Sequence, residues 1–207
     1  MKNGFVLVSM CALAASAQAD IVNPSFEIPA LGTGLYSYNT AGATWVFANH
    51  SGEAATGSPW FTGSPPEGNQ AAFLQNIQGD TLGSDSISQG LTGLTPGTSY
   101  NFTFFAAQRP EKTVAPITVF LGTNNLGTFT PISTAFSSFT TSAASATSAN
   151  MTLSFVAAGA STGDWDSAID KVGMQTVGAT VPEPNNLVLL CACVLAIGSI
   201  SYRKQRN

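Results

Sequence analysis

Residues 99–107 read SYNFTFFAA, and this stretch decides the fold class. Successive side chains point to opposite faces of a β-strand, so every second residue from Tyr100 to Ala106 lies on one face, and that face is apolar. Such alternation is typical of a strand with one buried side. The preceding residues, 95–98, read TPGT and place proline and glycine where a type II turn requires them, because proline fixes φ and glycine accepts a positive φ. The stretch therefore predicts a strand that is entered from a tight turn.

The same two-residue period recurs along the chain in short segments separated by clusters of Gly, Pro, Asn and Ser. It predicts further strands at 44–47, 70–75, 86–89, 117–121, 136–141, 151–155 and 169–177. The stretch 140–152 is rich in Ser, Thr and Ala and is predicted to form a loop. No helix is predicted between the two ends of the chain. These segments are enough for two packed sheets, so we expect an all-β sandwich.

The amino terminus has the order of parts found in a secretory signal. Lys2 supplies a positive charge, residues 5–15 form an apolar segment, and Ala17-Gln18-Ala19 is a small-x-small cleavage site. We therefore expect residues 1–19 to be a signal peptide with a helical apolar segment, removed before Asp20, so that the chain is exported.

The carboxyl terminus carries three parts in a fixed order: Val181-Pro182-Glu183-Pro184, an apolar run at 187–202 and a basic end at 203–206. Because proline lacks an N–H and restricts the residue before it, a helix can begin only after the second proline. A helix over 187–202 would be about 24 Å long, which is marginal against a hydrocarbon core of ~30 Å. The basic end would stop transfer on the cytoplasmic side and leave the body of the chain outside.

Residues 20–180 form this body, and their composition restricts its partners and bonds. They carry ten acidic and three basic side chains, a net charge of −7, which argues against nucleic acid as a partner. The length fits a single domain. The three cysteines, at positions 11, 191 and 193, all lie in the end segments, so the body has no disulfide and relies on its hydrophobic core.

The body lacks the residues for common hydrolytic chemistry. His50 is its single histidine, no thiol remains, and neither G-x-S-x-G nor H-E-x-x-H occurs. Acidic pairs exist, but nothing in the sequence sets two of them at the separation that a glycosidase needs. We therefore expect a protein that is not an enzyme.

The ordered tail resembles the sorting signal of PEP-CTERM proteins, the exosortase substrates of Gram-negative bacteria. Val181-Pro182-Glu183-Pro184 matches the motif, 187–201 the hydrophobic segment and 203–206 the basic end. The resemblance implies that a membrane protease, the exosortase, recognises the motif, removes the tail and passes the body to the cell surface or extracellular matrix. The alternative is a plain carboxyl-terminal membrane anchor, which leaves the location almost unchanged.

The body resembles galactose-binding-like jelly rolls of the carbohydrate-binding kind, and in particular the DUF642 group. Five pieces carry the resemblance in the expected order: NPSFE at 23–27, PEGNQAAFL at 66–74, ISQ at 87–89 with LTPGTSY at 94–100, FFAAQR at 104–109 and AIDKV at 168–172. The resemblance implies a jelly-roll β-sandwich over 20–180. Plant members carry cysteines in this region, and this body departs from their pattern because it has none.

The same resemblance implies a structural calcium ion. In many such jelly rolls the first and last strands lie together, and the ion is held by the Glu of an NxxFE start and an Asp near the closing strand. Glu27 and Asp170 match those positions. Calcium takes several hard oxygen ligands, so backbone carbonyls or the side chain of Asn23 would complete the shell. The alternative is that Glu27 is an exposed strand residue and Asp170 is solvated or paired.

Sugar recognition by such domains uses aromatic rings, because the C–H faces of a pyranose stack on them while polar groups take the hydroxyls. Trp60, Phe61 and Trp165 lie in loop-like sequence, and Arg109 is a donor just beyond the SYNFTFFAA strand. The alternative for each of these aromatic residues is a place in the hydrophobic core. For Trp60 the two interpretations are equally favoured, whereas Trp45 is expected in the core. We predict a carbohydrate-binding patch of Trp60, Trp165 and Arg109 for a neutral or mildly basic polysaccharide.

The residues and both resemblances predict an exported, exosortase-sorted surface or matrix protein with a non-catalytic carbohydrate-binding domain. A coat or biofilm-matrix protein without a small ligand fits the low charge and the many Ser, Thr, Gly and Ala residues as well. The two functions differ in one structural feature. A sugar binder exposes an aromatic ring beside polar groups, whereas a coat protein exposes apolar patches or sheet edges.

Overall fold

The computed structural model describes residues 19–77, 84–158 and 163–178. Within these ranges the chain forms thirteen β-strands. In chain order they are β1 Tyr36–Tyr38, β2 Val46–Ala48, β3 Ser51–Ala55, β4 Gln70–Ile77, β5 Ser86–Thr92, β6 Ser99–Gln108, β7 Thr113–Val114, β8 Ile117–Leu121, β9 Asn124–Phe129, β10 Ser137–Thr140, β11 Ala144–Ser145, β12 Asn150–Ala157 and β13 Asp164–Val177. These ranges contain no helix, and therefore no helix that is long and apolar enough to cross a membrane. The predicted signal helix, the motif at 181–184 and the helix at 187–202 lie outside the described residues.

The strands form two sheets that pack face to face. The large sheet has the order β1-β3-β4-β13-β6-β10, with β11 added to β6 and β7 to β13, and the small sheet has the order β2-β5-β12-β8-β9. Neighbouring strands are antiparallel, as between β4 and β13, except that β7 runs parallel to β13. The predicted all-β jelly-roll sandwich is confirmed.

Strand β6 has the alternation that its sequence predicts. Every second residue from Tyr100 to Ala106 is buried in the core between the sheets, and the residues between them are half-buried. The turn before the strand is confirmed as well, because Thr98 N–H donates to Thr95 O at 3.0 Å and Gly97 has a φ of +85°. Strand β6 lies between β13 and β10 in the large sheet and contributes its apolar face to the core between the sheets.

Apolar side chains form two separate cores. The main core lies between the sheets and includes Trp45, which is buried as predicted and donates its Nε1–H to Asn23 O at 2.9 Å. The second core lies on the outer face of the large sheet, where the loop between β3 and β4 folds back over the strands. Its buried members are Ala54, Trp60, Phe61, Ala71, Phe73 and Ala168. Because β4 and β13 contribute to both cores, the centre of the large sheet is covered on both faces.

The segment before β1 lies against the last strand. Pro24 O accepts a hydrogen bond from Val172 N–H at 2.9 Å, and Ile21 is buried in the main core. The first and last segments therefore lie together, as the resemblance implies, although residues 23–27 form turns and not a strand.

Some strand bounds differ from the prediction. β13 begins at Asp164 and not at 169, and the loop predicted at 140–152 contains the short strand β11. Strands β1, β3, β7 and β9 are not predicted at all. The reason is clearest for β3, whose sequence SGEAA is buried at every position and therefore has no alternation to detect.

Candidate functional site

Arg109 and Trp60, two residues of the predicted patch, contact each other on the outer face of the large sheet. The Arg109 guanidinium lies 4.1 Å from the centre of the Trp60 ring, and the other face of that ring stacks on Phe73 with ring centres 3.6 Å apart. Trp60 is 1% exposed. Both faces of the indole are covered, so Trp60 is a core residue, and the prediction that it offers a stacking face to a sugar is wrong.

The other aromatic candidates also pack against protein. Phe61 is buried and meets Phe136 edge to face at 5.7 Å. Trp165 is half-buried and packs against the main core, whereas the next residue, Asp166, lies on the outer face and pairs with Arg109. Because successive side chains of a strand point to opposite faces, Trp165 points away from Arg109. The predicted patch is therefore not assembled on one face of the sheet.

Two tyrosines of β1 are exposed beside the Arg109 and Trp60 pair, and sequence reasoning missed them. Tyr36 is 47% exposed and Tyr38 is 40% exposed, and they share one face of the strand because they are two residues apart. Their rings meet edge to face with centres 6.0 Å apart, and each also lies edge-on to Trp60, at 6.0 and 6.2 Å. The second core thus supports an exposed aromatic pair at the edge of the large sheet.

A row of polar side chains runs from Tyr38 across the neighbouring strands. The Tyr38 hydroxyl donates to Gln75 Oε1, Gln75 Nε2 donates to Asp164 Oδ1 at 2.9 Å, and Lys112 Nζ lies 2.7 Å from Asp164 Oδ2. Partial burial acts to raise the pKa of Asp164, but hydrogen bonds from Lys112 and Gln75 outweigh it, so that the pKa is lowered. Amide, carboxylate and ammonium groups therefore lie beside the exposed tyrosines.

Asp166 adjoins this polar row and is fully buried. Its Oδ2 lies 3.3 Å from Arg109 Nη1, and its Oδ1 has no hydrogen-bond partner within the described residues. Burial and repulsion from Asp164 raise the pKa of Asp166 to about 7, against the opposing charge of Arg109. Burial and the neighbouring Tyr36 also raise the pKa of Tyr38. Asp166 therefore retains a proton well above the ordinary range of a carboxyl group.

A cleft of about 460 Å³ borders this cluster at Arg109. It is lined by Ser58, Pro59, Phe61, Thr62, Arg109, Pro110, Glu111 and Lys112. Its volume falls in the range of roughly 300–1,000 Å³ that is usual for ligand sites. Arg109 and Lys112 line the cleft and also pair with the carboxylates of the outer face, so the cleft and the polar row form one continuous site.

The two predicted calcium ligands converge on one loop. Glu27 Oε1 accepts hydrogen bonds from the N–H groups of Asn69 and Gln70 at 2.8 and 2.7 Å, and Asp170 Oδ2 accepts one from Glu67 N–H at 2.9 Å. Gly68 lies between these donors with a φ of +67°, and a Cβ there would collide with the Glu27 carboxylate. The loop 67–70 therefore joins the first and last segments of the body through two carboxylates.

Glu53 is a third carboxylate in this region that sequence reasoning missed. It is fully buried on β3, and within the described ranges neither of its oxygens has a hydrogen-bond partner, nor has Asp170 Oδ1. Burial and then repulsion from Glu27 raise the pKa of Glu53 to about 8. Burial is also the main reason that the pKa of Asp170 is raised to about 7, and nearby Glu67 and Glu27 add to it.

The chemistry of these unpaired oxygens fits a hard cation such as calcium. However, no three His, Cys, Asp or Glu side chains in the described parts of the chain are already gathered as a metal cluster. The Asn23 side chain, the other ligand considered from the sequence, accepts a hydrogen bond from Glu27 N–H at 2.8 Å. A bound ion would therefore need backbone carbonyl oxygens in addition to the carboxylates.

Comparison with solved structures finds this fold in proteins of low sequence identity. The Stig cyclase Fisc from Fischerella sp. TAU, in complex with (3Z)-3-(1-methyl-2-pyrrolidinylidene)-3H-indole, has a TM-score of 0.60 and 17% identity, over 77% of this chain and 98% of that one. The apo form of a cyclase from Fischerella sp. has a TM-score of 0.59 and 20% identity, over 81% and 100%. TmCBM61 in complex with beta-1,4-galactotriose has a TM-score of 0.52 and 14% identity, over 78% and 100%.

No family model and no curated protein matches the sequence. At identities of 14 to 20%, the likeness to the solved structures concerns the fold alone. The chain therefore has the β-sandwich fold of a carbohydrate-binding module, a fold that is also found in cyclases.

Proposed function

We propose that the domain binds carbohydrate without converting it, on the outer face of the large sheet around Tyr36 and Tyr38. The observation that carries the proposal is that two exposed aromatic rings lie beside a hydrogen-bonded row of amide, carboxylate and ammonium groups. Pyranose rings suit this combination, because their C–H faces stack on aromatic rings and their hydroxyls need polar partners. The tyrosines take the stacking role that the sequence suggests for Trp60 and Trp165, and Arg109 keeps its role as a donor.

Each such site binds weakly. Two half-exposed rings and a few hydrogen bonds support a Kd on the order of millimolar to micromolar. Display of many copies on a surface would raise the overall affinity through multivalency. The net charge of −7 on the body favours neutral or mildly basic chains over chains that carry an acid on every unit.

The likeness to TmCBM61, whose structure contains a galactotriose, is in keeping with this proposal. The likeness to Stig cyclases favours a second function, an enzyme that acts on a small molecule. Asp166 is the residue that would serve it, because it contacts Arg109 at the wall of the cleft and burial raises its pKa to about 7, where a carboxyl group can transfer a proton at neutral pH. An enzyme would convert its ligand into a product, whereas a binding domain releases its ligand unchanged.

A structural calcium ion is the second part of the proposal, with Glu27 and Asp170 as the carboxylate ligands. It is supported by the buried, unpaired Oδ1 of Asp170, whose other oxygen accepts a hydrogen bond from the loop that Glu27 holds. A cation there would offset the cost of burying the Asp170 carboxylate. It would also tie together the amino-terminal segment and β13, which are far apart in the chain.

The place of action that we propose is the cell surface or extracellular matrix of a Gram-negative bacterium. This proposal rests on the sequence of the two ends, a signal peptide at 1–19 and a PEP-CTERM-like tail with its motif at 181–184. The segment 187–202 would anchor the precursor in the membrane until an exosortase removes the tail. We also propose a relation to the DUF642 group, which the five sequence pieces from 23–27 to 168–172 support. A matrix protein with no small ligand is the alternative function for the same location.

Affinity electrophoresis of the purified full chain through gels that contain different polysaccharides tests the proposal. We expect at least one neutral polysaccharide to slow the protein relative to a gel without it. Recovery of that polysaccharide at unchanged length after incubation would distinguish binding from catalysis. Migration at the same rate in every gel would support the matrix alternative, and shortened or modified glycan would support an enzyme.

A further inference from the structure

We propose that the cleft beside Arg109 is a subsite for a carboxylate group, so that the glycan bound on this face carries a uronic acid or another carboxylated sugar at one position. That the ligand is a glycan rests on the proposed function. That it carries a negative charge rests on the residues of the cleft. It departs from the neutral or mildly basic chain that the net charge of the body favours, because it places one acidic unit at this position.

Three contacts hold the Arg109 side chain at the wall of the cleft. Its guanidinium lies 4.1 Å from the centre of the Trp60 ring, Nε donates to Pro59 O at 3.3 Å, and Nη1 lies 3.3 Å from Asp166 Oδ2. A guanidinium fixed in this way loses little rotamer freedom when it binds a ligand, and its planar fork matches the geometry of a carboxylate. Arg109 is therefore prepared to bind an anionic group.

The cleft gathers most of the basic side chains of the body, beside one acidic residue of the lining, Glu111. The body has three basic residues, and two of them, Arg109 and Lys112, line it. Lys112 pairs with Asp164, but both side chains are partly exposed, and such ion pairs contribute little to stability, so a ligand carboxylate can take over Lys112 at low cost. Asp166, the partner of Arg109, has a raised pKa near 7 and neutralises the guanidinium only in part at neutral pH.

The rest of the lining suits one sugar unit. Pro59 and Pro110 provide apolar surface and Thr62 a hydroxyl, while Ser58 is 6% exposed and its Oγ has no hydrogen-bond partner among the residues described. Glu111, also in the lining, has a φ of +60°, a left-handed conformation that is uncommon for residues other than glycine. Strained positions of this kind cluster at binding sites.

An NMR titration of the isotope-labelled full chain with sodium glucuronate, and with glucose as its neutral match, tests the subsite. We expect glucuronate to bind about tenfold more tightly, the gain typical of a charge-assisted hydrogen bond, with shifts at 58–62 and 109–112. Lys112→Gln, which removes the charge but retains a donor for Asp164, should lose most of this preference. Glu111→Gln, which removes a negative charge from the lining, should increase it.

Equal binding of glucuronate and glucose would overturn the carboxylate subsite, as would a preference that survives Lys112→Gln unchanged. Either result leaves the proposed glycan-binding function to be judged by the polysaccharide gels. Conversely, glucuronate shifts at this cleft without retardation in any gel would support the subsite and count against the wider glycan-binding face.

Discussion

The guanidinium of Arg109 lies against one face of the Trp60 indole while the ring of Phe73 covers the other. This contact joins the second core to the binding groups, because Arg109 also meets the buried carboxylate of Asp166. Tyr36 and Tyr38 pack edge-on against the same indole. The position of the polar groups and of the exposed rings therefore depends on a tryptophan that no ligand can reach.

Trp60→Ala should destabilise the protein and not merely weaken ligand binding. Removal of a fully buried tryptophan typically costs about 3–5 kcal/mol, which for a domain of this size lowers the Tm by about 10 °C. Thermal unfolding followed by circular dichroism measures the change. Ile132→Ala is a suitable control, because Ile132 is 91% exposed and its removal should leave the Tm nearly unchanged. A Trp60→Ala variant that melts like the wild type would contradict the placement of Trp60 in the second core.

Asp166→Asn should stabilise the protein increasingly as the pH rises. Burial raises the pKa of Asp166 from its ordinary value of 3.8 to about 7, so its contribution to stability is fully present below pH 3.8 and is lost as the pH passes through 7. Asparagine keeps the shape of the side chain but does not ionise. The Tm of the variant minus that of the wild type, measured from pH 5 to pH 8.5, should therefore grow. A difference that shrinks over this range would mean that the ion pair with Arg109 outweighs burial.

Calcium should raise the Tm of the wild type, and a chelator should lower it. An ion that binds only the folded state stabilises it by about 2.7 kcal/mol at a hundredfold excess over its Kd. Glu27→Gln should abolish this response, because Glu27 would supply a ligand oxygen, and Asp170→Asn should do the same. Melting curves with calcium and with chelator measure the effect.

The matched control for the calcium experiment is Glu111→Gln, which removes one negative charge at an exposed position outside the segments that contain Glu27 and Asp170. It should leave the calcium response intact. If the wild type melts at the same temperature with calcium and with chelator, no structural ion is bound, and Glu53 is a buried carboxyl group that remains protonated at neutral pH.

Mass spectrometry of the surface form should find a chain that begins at Asp20 and lacks everything beyond the motif at 181–184. Glu183→Ala should leave the uncut precursor in the membrane if a protease reads the motif. An intact Arg206 on the surface form would rule out processing and leave a plain anchor. This prediction concerns the ends of the chain and is independent of ligand binding.

The fold could be predicted from sequence wherever one face of a strand is buried and the other is not. The alternation of 99–107 is the clear case, and β8 lies at the predicted 117–121. The prediction fails for β3, because its sequence SGEAA lies between neighbouring strands with both faces covered. The covering layer comes from the loop that carries Trp60, a contact between residues that the local sequence pattern does not reveal.

The candidate site was harder to predict than the fold for the same reason. Trp60 follows Pro59 in loop-like sequence, yet the loop folds back onto Phe73 and buries it. Tyr36 and Tyr38 alternate like core residues of a strand, but β1 is the edge strand and their rings remain exposed. Whether an aromatic residue is a ligand platform or a core residue thus depends on tertiary packing. Arg109, by contrast, lies just beyond the end of β6, as the strand pattern predicts, and its role in ligand binding stays a prediction.

The most direct test of glycan binding on the outer face is to remove its two exposed rings together. The variant Tyr36→Ala with Tyr38→Ala should melt within a few degrees of the wild type, because each side chain is already close to half exposed. Its retardation in a polysaccharide gel that slows the wild type should disappear, since stacking of each ring contributes about 0.5–1.5 kcal/mol. Phe120→Ala, which alters a half-buried aromatic on β8 of the small sheet, should keep full retardation. Undiminished retardation of the double tyrosine variant, with a Tm like that of the wild type, would show that the glycan does not bind at this face.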